Sequence, residues 1–415
     1  MKRMLVAFMV LAALISLSPQ EGKAIPAFAR KYGFNCNMCH VSFTRLNDFG
    51  QRFRLNGYQV PGQQGLEKNV FETPPPIAFR ITTGLQAAHS RDANTSGFNI
   101  FGFDLLTAGV LHKDISYLVI YTPRVDEPGG DYRGETPSQT GALESANLIF
   151  SNLLTDALNL RIGKFEPAYH TVSSKRSYYI IQPYEVYAFK SPSGYIFEDN
   201  QMGFEVSGHF RNGFRYGAGV VNSNGANPDN NKFKDLYLAL SQVIGRGEGQ
   251  SAGQRIDVFG YQGWQPTIFP PDYQAAAGGE LEGHGNKKLM RLGGDISLNI
   301  PSFNLTALLM QGNDNRPFNF ADSTKDYKFT GGFVELDYYG FMNNRLLISG
   351  MYNWVEPPDG DEGSKITAIS GVVRYYLGDW TAVNVALHGE YTHRQEGKDD
   401  PFKEDIFTAL VDFDF

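Results

Sequence analysis

Cysteine is almost missing from this chain: Cys36 and Cys39 are the only two in 415 residues. A disulfide framework needs several pairs, and a structural zinc site needs four ligands, so neither can be built from them alone. Past the first two dozen residues there is no run of eighteen apolar residues, which excludes a transmembrane helix. No serine, histidine and aspartate stand in a recognisable elbow or triad pattern, so a hydrolase is not indicated. The basic residues form one short stretch without a known module, and nucleic acid is not an expected partner. Residues 41–88 hold neither histidine nor methionine.

The two cysteines stand in Cys36-Asn37-Met38-Cys39-His40, which is C-x-x-C-H, the attachment signal for c-type haem. Each part has a chemical task. The thiols add to the two vinyl groups, and the histidine that follows is held under the iron as the proximal axial ligand. The expected cofactor is therefore one covalently attached haem c. Cys36, Cys39 and His40 are its binding residues, and His40 is the iron ligand. A local disulfide or an incomplete zinc site is the plainer alternative, but neither gives His40 a role. The distal ligand is not at hand. Met38 lies between the thiols and cannot reach the far face, and 41–88 offers nothing of the usual kind. It comes from one of the seven other histidines or five methionines beyond residue 88, from a less common group, or is absent; His112 falls on an expected turn and His170 in the longest expected loop.

The surroundings fit export. Lys2 and Arg3, an apolar stretch from Leu5 to Leu17 and the small-x-small site Gly22-Lys23-Ala24 read as a signal peptide over 1–24. Removing it leaves about 390 residues, more than one ordinary domain. Charge is unevenly placed. Of the whole chain's −7, residues 1–24 carry +2 and residues 25–60 carry +4, which leaves −13 from residue 61 onward. A small basic segment thus precedes a large acidic one, an opposition that favours docking of one on the other.

Aromatics at 13% and 45 glycines, with a modest apolar total, suit a transmembrane β-barrel, whose strands alternate apolar-out and polar-in. The fold expected is mainly β: an antiparallel barrel of about sixteen strands over 77–415, a small helical haem segment over 25–60, and a linker over 61–76 bounded by Pro61-Gly62 and Pro74-Pro75-Pro76. Within the haem segment, Phe43, Leu46, Phe49 and Phe53 at helical spacing predict one amphipathic helix over 42–56. Sixteen alternating segments, from 77–88 to 405–415, are joined by short turns such as His112-Lys113 and long loops such as 123–141 and 166–200. That asymmetry is the pattern of an outer-membrane barrel with short periplasmic turns, and an even count puts both ends on the periplasmic side. The 166–200 loop carries Tyr178, Tyr179, Tyr184, Tyr187 and Tyr195 and is long enough to fold inward as a constriction. Acidic clusters at 126–135, 359–362 and 396–404 read first as solvated loop faces that raise cation concentration at the mouth.

Ala24-Ile25-Pro26-Ala27-Phe28-Ala29-Arg30, the Cys36–His40 motif, Leu46-Asn47-Asp48-Phe49-Gly50, Phe53 and Asn56-Gly57-Tyr58 together resemble the fused monohaem cytochrome c–porins of bacterial outer membranes. That family includes the outer-membrane ferrous-iron oxidases. The match covers residues 24–60; over the barrel the resemblance is one of architecture and strand count. It implies a haem-bearing plug in an outer-membrane barrel that takes electrons from extracellular ferrous iron and passes them to a periplasmic c-type cytochrome or similar carrier. The activity implied is electron transfer, that of a ferrous-iron:cytochrome oxidoreductase. Two other readings remain open at this stage: an outward conduit that reduces extracellular acceptors, and a diffusion porin with a haem-bearing plug.

Overall fold

The computed structural model describes residues 27–34, 38–42, 45–63, 65–73, 76–123, 142–155, 157–168, 172–181, 184–197, 200–222, 233–245, 254–265, 287–300, 302–317, 324–342, 345–377 and 384–414. Residues 1–24, Cys36, Phe43, His170, His284, the acidic cluster at 126–135 and Phe415 lie outside them.

The described residues begin with helix α1 (Ala27–Tyr32), a small antiparallel pair β1 (His40–Ser42) and β2 (Arg45–Leu46), and helix α2 (Asp48–Leu55). Sixteen strands follow. They are β3 (Ile77–Ser90), β4 (Asn94–His112), β5 (Ile115–Thr122), β6 (Ala142–Phe150), β7 (Asn159–Phe165), β8 (Gln201–His209), β9 (Phe214–Asn222) and β10 (Lys234–Val243), then β11 (Arg255–Gln265), β12 (Lys287–Ile300), β13 (Phe303–Asp314), β14 (Tyr327–Phe341), β15 (Leu346–Glu356), β16 (Ile366–Tyr376), β17 (Asn384–Glu396) and β18 (Phe402–Asp414). A short helix α3 (Glu185–Ala188) lies in the connection between β7 and β8. Each strand pairs antiparallel with its neighbour in sequence, and β18 pairs with β3, Asp412 opposite Thr82, so the sheet closes on itself. Closure leaves no unpaired edge.

Alternation explains both faces. Along β18, Ile406, Thr408, Leu410 and Asp412 are buried toward the lumen, while Phe407 and Val411 are exposed on the outside. Along β13, Asn304, Thr306 and Asp314 point inward and Phe303 and Leu309 outward. Apolar-out and polar-in is the arrangement a lipid-embedded barrel requires. Strand ends sit within four residues of those the alternation predicts; β4 starts at Asn94 rather than 98, and the predicted first residues of β17, 380–383, lie outside the described residues. The even count brings the start of β3 and the end of β18 to one end of the barrel, with the short turns.

The predicted helix over 42–56 is shorter than expected. Arg45 and Leu46 are extended and pair with Ser42 and His40, and α2 starts only at Asp48. The cause is Asn47, whose side chain accepts from the Gly50 N–H and so caps the helix there. Asp48 in the first turn and Arg52 and Arg54 in the last suit the helix dipole. Gly57, at φ +67, turns the chain out of the helix, and a methyl there would lie 2.8 Å from the hydroxyls of Ser116 and Ser151.

The N-terminal segment packs inside the barrel. Phe53 and Tyr58 are buried with Ala108 and Ile149 of the wall, and Phe28, Tyr32, Phe49 and Leu118 pack around them. Phe28 meets Phe53 edge-on at 4.9 Å and stacks on Tyr58 at 5.1 Å. Such pairs add about 0.5–1.5 kcal/mol each beyond their area. The other half of the lumen is filled by the β7–β8 connection. Tyr178, Tyr179, Tyr184, Tyr187 and Tyr195, all buried, join Phe259, Tyr261, Phe329 and Phe333 of the wall in one apolar cluster.

Candidate functional site

Cys39 and His40 lie against helix α2, and two residues of that helix region fix their backbone. Asn47 donates from its backbone N–H to the Cys39 carbonyl at 2.8 Å and from Nδ2 to the Met38 carbonyl at 3.0 Å. Gly50 provides the space: a methyl there would fall on the Cys39 carbonyl oxygen and within 3.0 Å of Leu46 Cδ2.

Arg45 ties the segment to the wall. Its guanidinium donates to Glu335 at 2.7 Å and Asp337 at 2.8 Å on β14, and to the Tyr184 hydroxyl at 3.1 Å. It also lies 4.7 Å from the Tyr178 ring centre. Burial alone would lower its pKa; Glu335 and then Asp337 outweigh that and hold it well above the ordinary value. A second tie runs from Asp48 to Arg215 on β9, with Arg255 on β11 3.5 Å away. At the exit, Lys31 meets Glu67 at 2.8 Å, and the Tyr32 hydroxyl donates to Glu67 and to the Tyr58 carbonyl.

Cys39 and His40 both line a cavity of about 620 Å³ inside the barrel. The segment contributes Phe28, Phe34, Leu46, Phe53 and Tyr58 to its wall, and the barrel contributes Phe79, Leu106, Ala108, Leu118, Ile120 and Phe165. Its strand residues lie between Ala78 and Thr82 on β3, between Phe101 and Ala108 on β4 and between Leu118 and Thr122 on β5, with Glu144 and Ser145 of β6, Arg161 and Phe165 of β7, and Asp414 of β18. Arg54, Arg80, Arg161, Lys175 and Arg176 supply positive charge, and Asp104, Glu144, Glu166 and Asp414 negative charge. The volume falls within the ~300–1,000 Å³ typical of cofactor sites, and an apolar wall with a few charged groups is their usual composition. A thiol-bearing residue, an imidazole, an apolar enclosure and cations suited to carboxylates form a donor set that fits haem.

Cys36 lies outside the described residues, so the geometry brings together two of the three motif residues. Among the described residues that line the cavity, His40 is the one histidine, and there is no methionine. His112 ends β4 in an exposed position, His388 is buried beside Glu390 at 3.1 Å, and Met310 and Met351 belong to the aromatic cluster. The described histidines and methionines of the barrel therefore stand away from His40's cavity. The 166–200 connection does turn inward, and its tyrosines pack in the lumen. Of the acidic loop residues, Asp361 accepts from the Tyr327 hydroxyl at 2.6 Å and Asp400 from Arg91 at 3.0 Å. Among the described residues no group of three histidine, cysteine or acidic side chains is placed to hold a metal ion. Sequence reasoning did not single out Arg54, Arg161, Arg176 and Glu166; the signal available for Arg161 was its inward parity on a strand.

No family model matches the chain. No curated protein matches it either. Solved structures do. An anion-selective porin from Comamonas acidovorans is similar with a TM-score of 0.59 at 12% identity, over 82% of this chain and 99% of that one. OprB of Pseudomonas putida gives 0.55 at 13%, over 83% and 95%. The outer membrane channel DcaP of Acinetobacter baumannii gives 0.56 at 9%, over 82% and 97%. At these identities the likeness is one of fold: residues 77–414 form a closed sixteen-strand barrel of the kind seen in outer-membrane porins.

Proposed function

We propose that this protein is an outer-membrane electron-transfer protein. It carries one covalent haem c in a plug inside its barrel, oxidises extracellular ferrous iron and passes the electrons to a periplasmic c-type cytochrome or similar carrier. The observation that carries this reading is the position of Cys39 and His40 on a cavity within a porin-like barrel. When bound, the haem supplies one-electron exchange between ferrous and ferric iron. The chain's own residues do the rest. Cys36 and Cys39 hold the group covalently and His40 takes the iron. Asn47 and Gly50 keep the motif's backbone on α2. Phe28, Phe34, Phe53 and the apolar wall exclude water, which strengthens the charges at the edge of the cavity. The barrel meets its own backbone hydrogen bonds in lipid and brings the site part-way through an insulating layer about 30 Å thick. Arg45 and Asp48 hold the plug against two parts of the wall, β14 and the β9–β11 stretch. By the short-turn rule, the end of the barrel that carries the short turns faces the periplasm, where the carrier would dock.

The porin-like fold gives a second reading some support, a diffusion channel with a haem-bearing plug. The plug and the tyrosine-rich connection, both packed inside the barrel, argue against it.

The test is a redox titration of the purified protein in detergent, followed by anaerobic mixing with ferrous iron. Rapid reduction and a suitably positive midpoint are expected. A low midpoint with no reduction by iron would favour outward transfer instead. An open ohmic pore in a planar bilayer with a redox-silent haem would favour the channel. Absence of covalent haem, or its persistence in a Cys36→Ser, Cys39→Ser chain, would sink the proposal.

A further inference from the structure

One corner of the cavity holds more positive charge than negative. Arg54 of α2 and Arg176 of the β7–β8 connection both donate to one oxygen of Glu166, Arg54 at 2.7 Å. The Ser173 hydroxyl takes the other oxygen. Arg161, on the same wall, is matched by Glu205 at 2.5 Å and also donates to the Glu166 carbonyl at 2.9 Å. Among the described residues this corner therefore contains three guanidiniums and two carboxylates. Burial first, and then the like charge of Arg54, lower the pKa of Arg176, whereas at Arg54 Glu166 outweighs burial and raises it, so the cost of the pairing falls on Arg176. The other cations of the cavity are better balanced. Lys175 meets Glu144 at 3.1 Å, and Arg80 lies 3.3 Å from Asp412 and 3.8 Å from Asp414.

Arg54 and Arg176 keep 18% and 24% of their side-chain surface exposed, and both line the cavity. A buried cation without its full counter-charge is unfavourable, and an entering anion would relieve it. A guanidinium presents a planar fork that matches a carboxylate better than an ammonium does. Haem carries two propionate carboxylates. The geometry points to the Arg54–Arg176 pair, bridged by Glu166, as the anchor for a propionate of the haem attached at Cys36 and Cys39. This inference rests on the haem reading above. Arg54 and Arg176 are positioning residues that set the charge beside the cofactor, and they touch no donor or acceptor of electrons.

The test uses the full chain matured with its haem and purified in detergent. Haem staining of the denatured wild type comes first: no covalent haem would overturn the functional reading and this inference together. With haem present, Arg176→Gln removes a positive charge that disfavours ferric iron. At a fixed applied potential the oxidised-to-reduced ratio should rise about tenfold, a drop of about 59 mV for one electron. The propionate bending band in the resonance Raman spectrum should shift with it. Arg176→Lys keeps the charge but not the fork, so the band should move while the potential changes little. Arg211→Gln, at an exposed turn, is the control and should change neither. A shift in Arg176→Gln no larger than in Arg211→Gln overturns the inference and leaves the haem reading standing. If Arg176→Gln does not assemble, the wild type decides. Infrared redox-difference spectra with isotope-labelled propionates should show one anchored carboxylate still ionised at about pH 5; two carboxyl groups protonating together there would overturn the assignment.

Discussion

Gly50 is the residue whose close neighbour belongs to the cysteine motif. Glycine inside a helix usually costs about 1 kcal/mol relative to alanine, so Gly50→Ala in α2 should stabilise the protein on propensity alone. The contact with the Cys39 carbonyl reverses that expectation, because a methyl would occupy the place of that oxygen. Gly50→Ala should push the Cys39–His40 backbone off the helix. The predicted result is a lower yield of covalent haem per assembled barrel, measured by haem stain against protein on the same gel. An unchanged yield would mean that the motif can shift without loss. The sequence shows a glycine at position 50; it does not show that Cys39 lies against it, since that contact depends on how the chain folds back across Asn47.

At the scale of elements, α1 is held to the segment after α2 by Tyr32, Lys31 and Glu67. Burial, and then Glu67, raise the Tyr32 hydroxyl above its ordinary 10.0. Below pH 10 both folded and unfolded chains keep this proton, and its contribution is constant. Above it the unfolded chain releases the proton first, so stability falls as pH rises. The slope is at most about 1.4 kcal/mol per pH unit, and less for a group that solvent in part reaches. Denaturant midpoints of the plug, read at the Soret band from pH 8 to 11, should fall in the native chain and stay flatter in Tyr32→Phe. Strands were the most legible elements. Alternation in stretches such as Asn159–Phe165 fixes parity, and parity fixes which side chains face lipid. The start of α2 was misplaced because Phe43, Leu46 and Phe49 fit a helical period, whereas Asn47 supplies an N-cap that starts the helix later. Arg54 and Glu166 were beyond reach: they are 112 positions apart, and no local rule links them.

For the whole molecule, the barrel was readable from strand spacing and loop asymmetry, while the plug was implied by the resemblance over residues 24–60, with the charge opposition favouring docking. What spacing cannot convey is that the plug and the 166–200 connection share one lumen. Arg45 is where they join, bonded to both Tyr184 and the β14 acids. Removing it strands Glu335 and Asp337 without their cation, a loss of about 3–5 kcal/mol for a buried pair. Arg45→Ala should therefore loosen the plug and raise single-channel conductance in planar bilayers, while heat-modifiable migration shows the barrel intact. Conductance equal to that of the native chain would mean the remaining ties suffice. The enclosure of Cys39 also imposes an order on manufacture. An attachment enzyme is far larger than a 620 Å³ chamber and needs the cysteine motif extended and within its grasp. On the haem reading, thioether formation would come before the segment seats in the barrel, and a cell short of haem would build barrels that could not be completed afterwards without drawing the plug back out.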